Sequence, residues 1–278
     1  MPIAEIHGKS PYTRSEDSLT ADVFGAFRYL PAETGLVAFL RAVPGLGNLF
    51  PPAIKRAQLD IHFWPLGIRR EPDLLLALRI DGTAYHIVVE AKYLSGPSDI
   101  DLALDDVQGQ EIVVGNQLAD QMRELLAGDY TVWCAGSRDR SLLLDSASHR
   151  RALLYVTAHP FRPDGELDRS AALLPEFAPR FHWASWYDVH DFLSSRRATF
   201  DTFPYDRIVD DLLLLLRQKG FGGFQGWSEM PPILAMPLSP GFWRGPRAGA
   251  PTFQGIHQPP AAIPAELQGS FWLDTREE

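Results

Sequence analysis

The spacing of apolar residues changes several times along this chain, and each change marks a new element. Leu19, Val23, Phe24, Phe27 and Leu30 recur at helical intervals before Pro31, predicting a helix that begins near Ser15, with Ser15 or Ser18 as its cap. A second helix is expected over 33–43, ended by Pro44-Gly45, and 58–64 alternates as a first strand. The apolar run 74–80 and the run 84–92 flank Asp81-Gly82, the strongest short-range hairpin signal in the chain. Further on, the pattern predicts a helix over about 111–126, strands over 130–135 and 152–158, and helices over 187–195 and 205–219. No internal repeat is present.

Beyond Gly220 this periodicity stops. Nine prolines fall between Pro231 and Pro264, yet the segment keeps Phe221, Phe224, Trp227, Phe242, Trp243, Phe253, Phe271 and Trp272. That is too aromatic for an ordinary disordered tail. The expected organisation is therefore an α/β domain over 1–220 and an irregular Pro/Gly-rich arm over 221–278 that packs on the domain or on a partner.

Charge and cysteine content narrow the setting. A formal charge of -9 argues against a surface coated with basic residues, while leaving room for a local basic groove beside an acidic site. Cys134 is the only cysteine, so no internal disulfide can form; its apolar neighbours Thr131-Val132-Trp133 suggest a buried, inert thiol and a reducing compartment. Residues 1–10 lack an apolar core of signal-peptide length, and the leucine run 212–216 is far too short to span a bilayer. A cytoplasmic protein with no membrane partner is expected.

The chemistry concentrates at one end of the hairpin. Glu90 and Lys92 are two apart on a strand and share a face, while Val89 and Ala91 point the other way. Asp73 lies at the start of the preceding strand, the end that faces Glu90 and Lys92 across an antiparallel ladder. Phosphodiester hydrolysis needs a hard cation to neutralise the phosphate and lower the pKa of water, and Mg²⁺ favours a few carboxylates with water and substrate oxygens. Asp73 and Glu90 are candidate ligands, the Ala91 backbone carbonyl is a third oxygen, and Lys92 is the cation expected to orient or help deprotonate the attacking water and to stabilise developing charge. Arg69-Arg70, just before Glu71, is the basic cluster best placed for substrate phosphates.

Pro72-Asp73 followed through a hairpin by Glu90-Ala91-Lys92 resembles the PD-(D/E)XK nuclease superfamily. Similarity extends over about 15–125, through an acidic residue on the preceding helix (Glu16, with Asp17 as a competitor), the run Lys92-Tyr93-Leu94-Ser95-Gly96-Pro97-Ser98-Asp99, and glutamine on the following helix. The resemblance implies a restriction-endonuclease-like mixed β-sheet flanked by helices, a Mg²⁺ (or Mn²⁺) cofactor and a nucleic-acid substrate, DNA ahead of RNA. It assigns Glu16 to the metal shell and Gln117 to support of the catalytic strand or of a substrate phosphate. Gln121 shares a helix face with Gln117 and is a candidate substrate-binding residue, although members with a recombination-nuclease-like motif carry Tyr there. The superfamily includes restriction, repair and phage-defence nucleases.

A different functional class fits the same residues: a nuclease-like domain that no longer cleaves and serves as a binding or scaffolding subunit, with a protein partner or second copy engaged by the arm. Hydrolysis of a nucleotide or another phosphoester shares the same ligands. Gly45-Leu46-Gly47 lacks the third glycine of a dinucleotide fingerprint, the 221–227 glycine cluster lacks the lysine of a phosphate-binding loop, and His149, His159, His182 and His190 show no zinc-like spacing. His86 shares the parity of Glu90 and is a candidate neighbour of the site.

Overall fold

Ser15 caps the first helix, α1 (Glu16–Phe27), by accepting from the Ser18 amide at 3.3 Å, and Glu16 and Asp17 complement the dipole of its first turn. The computed structural model describes residues 6–7, 15–93, 116–134 and 137–223. Helix α2 (Leu36–Ala42) starts three residues later than the pattern suggests. Glu33 lies outside it, and its carboxylate accepts from the Ala57 amide at 2.7 Å, anchoring the start of strand β1 (Ala57–Phe63).

Strands β2 (Leu74–Ile80) and β3 (Thr83–Lys92) form the expected hairpin. Asp81 and Gly82 both adopt positive φ, 48° and 83°, as the tight two-residue turn requires. The Asp81 carboxylate also accepts from the Lys55 and Arg56 amides, tying the turn to the segment before β1. Helix α3 (Gln117–Ala127) leads to a separate hairpin of β4 (Asp129–Cys134) and β5 (Ser137–Leu143); β6 (Arg151–Thr157), α4 (Asp164–Ala172), β7 (Phe181–Ser185), α5 (Trp186–Ser195) and α6 (Tyr205–Gln218) complete the described chain.

The main sheet has five strands in the order β1-β2-β3-β6-β7. The first three run antiparallel to their neighbours, whereas β6 and β7 lie parallel to β3. A central β3 should be buried on both faces, and nine of its ten residues are. One face carries Leu74, Leu76, Ile87, Val89, Leu154 and Val156 against α1, α2, α5 and α6; the other carries Leu75, Val88 and Leu153 against α3, α4 and the β4 residues Tyr130 and Val132. Burying each such leucine contributes roughly 1.5–3 kcal/mol. A one-residue slip of β3 would drive Glu90 and Lys92 into the first, apolar face, so packing sets the register.

Several expectations are corrected here. Cys134 is exposed, because it ends β4 on a two-stranded hairpin outside the five-stranded sheet. Phe221 is buried against Tyr93, Trp186 and Tyr187, so the domain core runs past the 220 boundary. Strands β5 and β7 and helix α4 are additional elements: β5 is a polar surface strand, and β7 is only five residues long. The Ser95–Asp99 run, residues 111–115 of the predicted helix and the arm from residue 224 lie outside the described residues. No helix among the described residues is long and apolar enough to cross a membrane.

Two buried histidines make the fold acid-sensitive. Burial, chiefly, pulls both His86 and His182 down to about 4. A folded pKa below the unfolded value of 6.5 means stability is lost as pH falls from about 6.5 through about 4. Over that range the urea midpoint of the wild type should fall relative to that of His86→Gln, which lacks one of these histidines while keeping the oppositely shifted Asp73 and Glu90; identical slopes would sink the assignment. His86 itself is not part of the carboxylate cluster: it sits opposite Ala77 and Arg151, and its Nδ1 lies 2.6 Å from Ser146 Oγ.

Candidate active site

Two strands and two helices bring the predicted residues together at the C-terminal end of β3. Leu74 pairs with Val89, so Asp73 faces Glu90 across the ladder, and its Oδ2 accepts from the Ala91 amide at 2.7 Å. Glu90 Oε1 lies 2.5 Å from the Lys92 ammonium, whose Nζ also donates to Glu16 Oε1 at 3.2 Å. The other oxygen of Glu16 accepts from the Tyr93 amide at 3.0 Å. Between the two acidic residues opening α1, Glu16 is the one at the site and Asp17 is exposed.

Helix α3 clamps Glu90 from the opposite side. Asn116 caps the helix by accepting from the Ala119 amide, and Ser170 of α4 donates to the same Asn116 oxygen at 2.8 Å. From its first turns Gln117 Nε2 donates to Glu90 Oε1 at 2.7 Å and Gln121 Nε2 to Oε2 at 2.6 Å. The four-residue spacing puts both amides on one helix face. Among the described residues, buried Gln121 Oε1 has no hydrogen-bond partner.

The electrostatics are those of carboxylates held away from water. Burial, and then the neighbouring Glu90 charge, push the Asp73 carboxyl up to about 8 despite the Ala91 amide and Lys92. Burial likewise raises Glu90, against the opposing pull of Lys92 and Gln121. For Lys92 burial acts downward, but Glu90, Glu16 and Asp73 outweigh it and raise its pKa, so the ammonium stays charged. Asp73, Glu90 and Lys92 are 8%, 2% and 8% exposed, and three acidic side chains meet one ammonium. The site favours additional positive charge.

Among the described residues no group of three His, Cys, Asp or Glu side chains is arranged to hold a metal. The oxygen donors nevertheless suit Mg²⁺, which binds through one or two carboxylates and keeps several waters. Asp73 and Glu90 are the two that could serve. Glu16 is occupied with Lys92 and the Tyr93 amide, which makes it the residue that positions the lysine.

Arg69 and Arg70 approach through their backbone. Their amides donate to Glu124 Oε1 at 2.5 and 2.9 Å, while the Arg70 guanidinium meets Asp120 of α3 at 3.2 Å. Glu124, absent from the sequence-based set, thereby holds the loop that leads into Asp73. Gly67 permits that approach, since a Cβ there would stand 2.0 Å from Glu124 Oε2. Tyr155 carries no local sequence signal either. It pairs with Glu90 in the parallel ladder and its hydroxyl donates to Glu166 at 2.8 Å; only strand order, which no local pattern encodes, places it there. Trp186, fully buried, donates from Nε1 to the Lys92 carbonyl at 3.2 Å and secures the end of β3. No protein-family model, curated protein or solved structure matches this chain.

Proposed function

We propose that this chain is a metal-dependent nuclease that hydrolyses phosphodiester bonds of nucleic acid, DNA in the first instance, in the manner its PD-(D/E)XK-like residues imply. The observation that carries this reading is the convergence of Asp73, Glu90 and Lys92 at one buried sheet end, with Glu16 and the two glutamines holding them. In open α/β sheets, ligands bind beyond the carboxyl ends of the strands, where β3, β6 and β7 all end here.

Asp73 and Glu90, with the Ala91 carbonyl, would hold Mg²⁺ or Mn²⁺, which supplies charge neutralisation and a water of lowered pKa when bound. The protein's own residues do the rest. Ala91 N–H fixes the Asp73 carboxylate, Gln117 and Gln121 fix both oxygens of Glu90, and Glu16 holds Lys92 beside them. A charged Lys92 stabilises the phosphorane-like charge and orients the attacking water; it does not act as a neutral base, because its neighbours keep it protonated. Arg69, exposed beside this loop, contacts substrate phosphate.

Purified protein should cleave single- or double-stranded DNA with Mg²⁺ or Mn²⁺ and stop in EDTA. Glu90→Gln and Lys92→Met should each lower the rate about a thousandfold. A wild type inert on DNA and RNA, or variants that cleave equally well, would reject the assignment.

One observation favours the non-cleaving reading: the 2.5 Å contact of Lys92 with Glu90 already neutralises one proposed ligand. In that reading the cluster is a structural ion network and the domain a binding subunit. Calorimetric titration with Mn²⁺ separates the two, since a structural network should show no binding that Asp73→Asn removes.

A further inference from the structure

Beside the catalytic end runs a second recess of about 740 Å³, lined by Arg28 of α1, by the edge strand β1 through His62 to Trp64, and by Trp133 of β4. Its size is that of a ligand pocket. Trp133 is 51% exposed. Arg28, Asp60 and Arg140 are exposed, and both arginines act on the His62 imidazole, whose pKa is lowered first by burial, with Asp60 opposing and the arginines reinforcing. Aromatic faces and the Arg28 guanidinium thus share one recess, and Arg140 stands at its margin, opposite Val132 in the β4–β5 ladder and so next to Trp133.

Two features tie this recess to the site. Trp64 has φ 46°, a left-handed conformation that is a genuine outlier for a bulky side chain and that persists only where the surroundings impose it. Its amide donates to the Asp73 carbonyl at 2.9 Å, so the strained tryptophan adjoins the strand that presents the proposed ligand. Helix α1 runs between both regions: Glu16 at its start holds Lys92, and Ala21, Gly25 and Arg28 wall the recess.

We propose that this recess is a subsite for single-stranded nucleic acid, with bases stacked on Trp133 and Trp64 and phosphates met by Arg28 and Arg140. The identity of the polymer rests on the nuclease reading of the adjoining site. Stacking demands exposed base faces, which a single strand offers and a duplex hides, and tryptophan-lined, positively charged grooves bind single strands largely without regard to sequence. Asp60 suits the same ligand as acceptor for a base amino group.

Gly25 makes the subsite testable without disturbing the core. A Cβ there meets nothing within 4 Å, and helix propensity favours leucine over glycine, so Gly25→Leu fills the recess on an intact fold. Binding of a labelled oligothymidylate in EDTA, read by anisotropy and tryptophan quenching, should be at least about tenfold tighter than binding of a duplex. Trp133→Ala and Gly25→Leu should each weaken it about tenfold, while Phe161→Ala, at an exposed site elsewhere, should not. Equal affinity for single strand and duplex, or wild-type affinity in both recess variants, overturns the subsite even if Mg²⁺-dependent cleavage is seen; the latter result is expected if the β1 edge instead pairs with a peptide strand. Recess-dependent oligonucleotide binding with no cleavage on adding Mg²⁺ leaves the subsite standing and rejects the nuclease reading alone.

Discussion

Asp73→Asn should abolish cleavage while making the protein more stable. The Asp73 carboxyl is buried and pushed up to about 8, first by burial and then by Glu90. A carboxyl whose folded pKa exceeds its unfolded value near 4 contributes its stability in full only at low pH and loses it as pH rises through about 8. Asparagine copies the neutral form and keeps an oxygen to accept from the Ala91 amide. In EDTA, the variant's urea midpoint should therefore rise above that of the wild type, and the gap should widen between pH of about 4 and about 8. Saturating Mn²⁺ should narrow it, because the cation stabilises only a chain that retains the carboxylate. The rate loss should be about a thousandfold or more, since asparagine cannot neutralise a metal. A destabilised Asn variant would show that Asp73 is a structural ion-pair partner, and an active one would remove it from the site.

Arg151→Met should cost about 3–5 kcal/mol of stability. The side chain is 8% exposed, and its guanidinium donates to the Leu125 and Leu126 carbonyls at 2.8 Å, to Ser146 O at 2.8 Å and to Leu144 O at 3.2 Å. It caps the C-terminus of α3, where a cation is favoured by the dipole, and binds that helix to β6 and to the segment after β5. Removing it strands several buried carbonyls, each costing about 1–3 kcal/mol when left unsatisfied. Arg151→Lys should recover only part of the loss, because one ammonium cannot span the same set of acceptors. Gly128 belongs to the same device: it ends α3 at φ 76°, and a Cβ there would stand 2.8 Å from the Arg151 guanidinium. Denaturant unfolding should place Gly128→Ala and Arg151→Met on the same side of wild type. An unchanged midpoint for Arg151→Met would show the network to be dispensable. Since α3 carries Gln117 and Gln121, both variants should also slow any cleavage.

The β2–β3 hairpin was legible because its signals are local: an Asp-Gly turn, an apolar run and period-two parity fix which residues oppose one another within a single short loop. The same parity put Glu90 and Lys92 on one face. The first helix was equally readable, with Ser15 capping and Glu16 in its first turn. Cys134 shows the opposite case. Its apolar neighbours suggested burial, but exposure depends on which sheet a strand joins, and among the described strands β4 pairs with β5 alone, outside the five-stranded sheet.

Sequence by itself determined the chemistry available, namely two carboxylates and a lysine at one end of a hairpin, because hairpin register follows from the turn and the side-chain period. Tertiary structure alone decided how those groups are held. It selected Glu16 over Asp17, set both glutamines on Glu90, placed Tyr155 beside it and laid the Trp64–Trp133 recess along α1. These contacts join residues tens of positions apart, and their geometry follows from strand order and helix packing, which arise from burial summed over the whole core and from no single stretch of the chain.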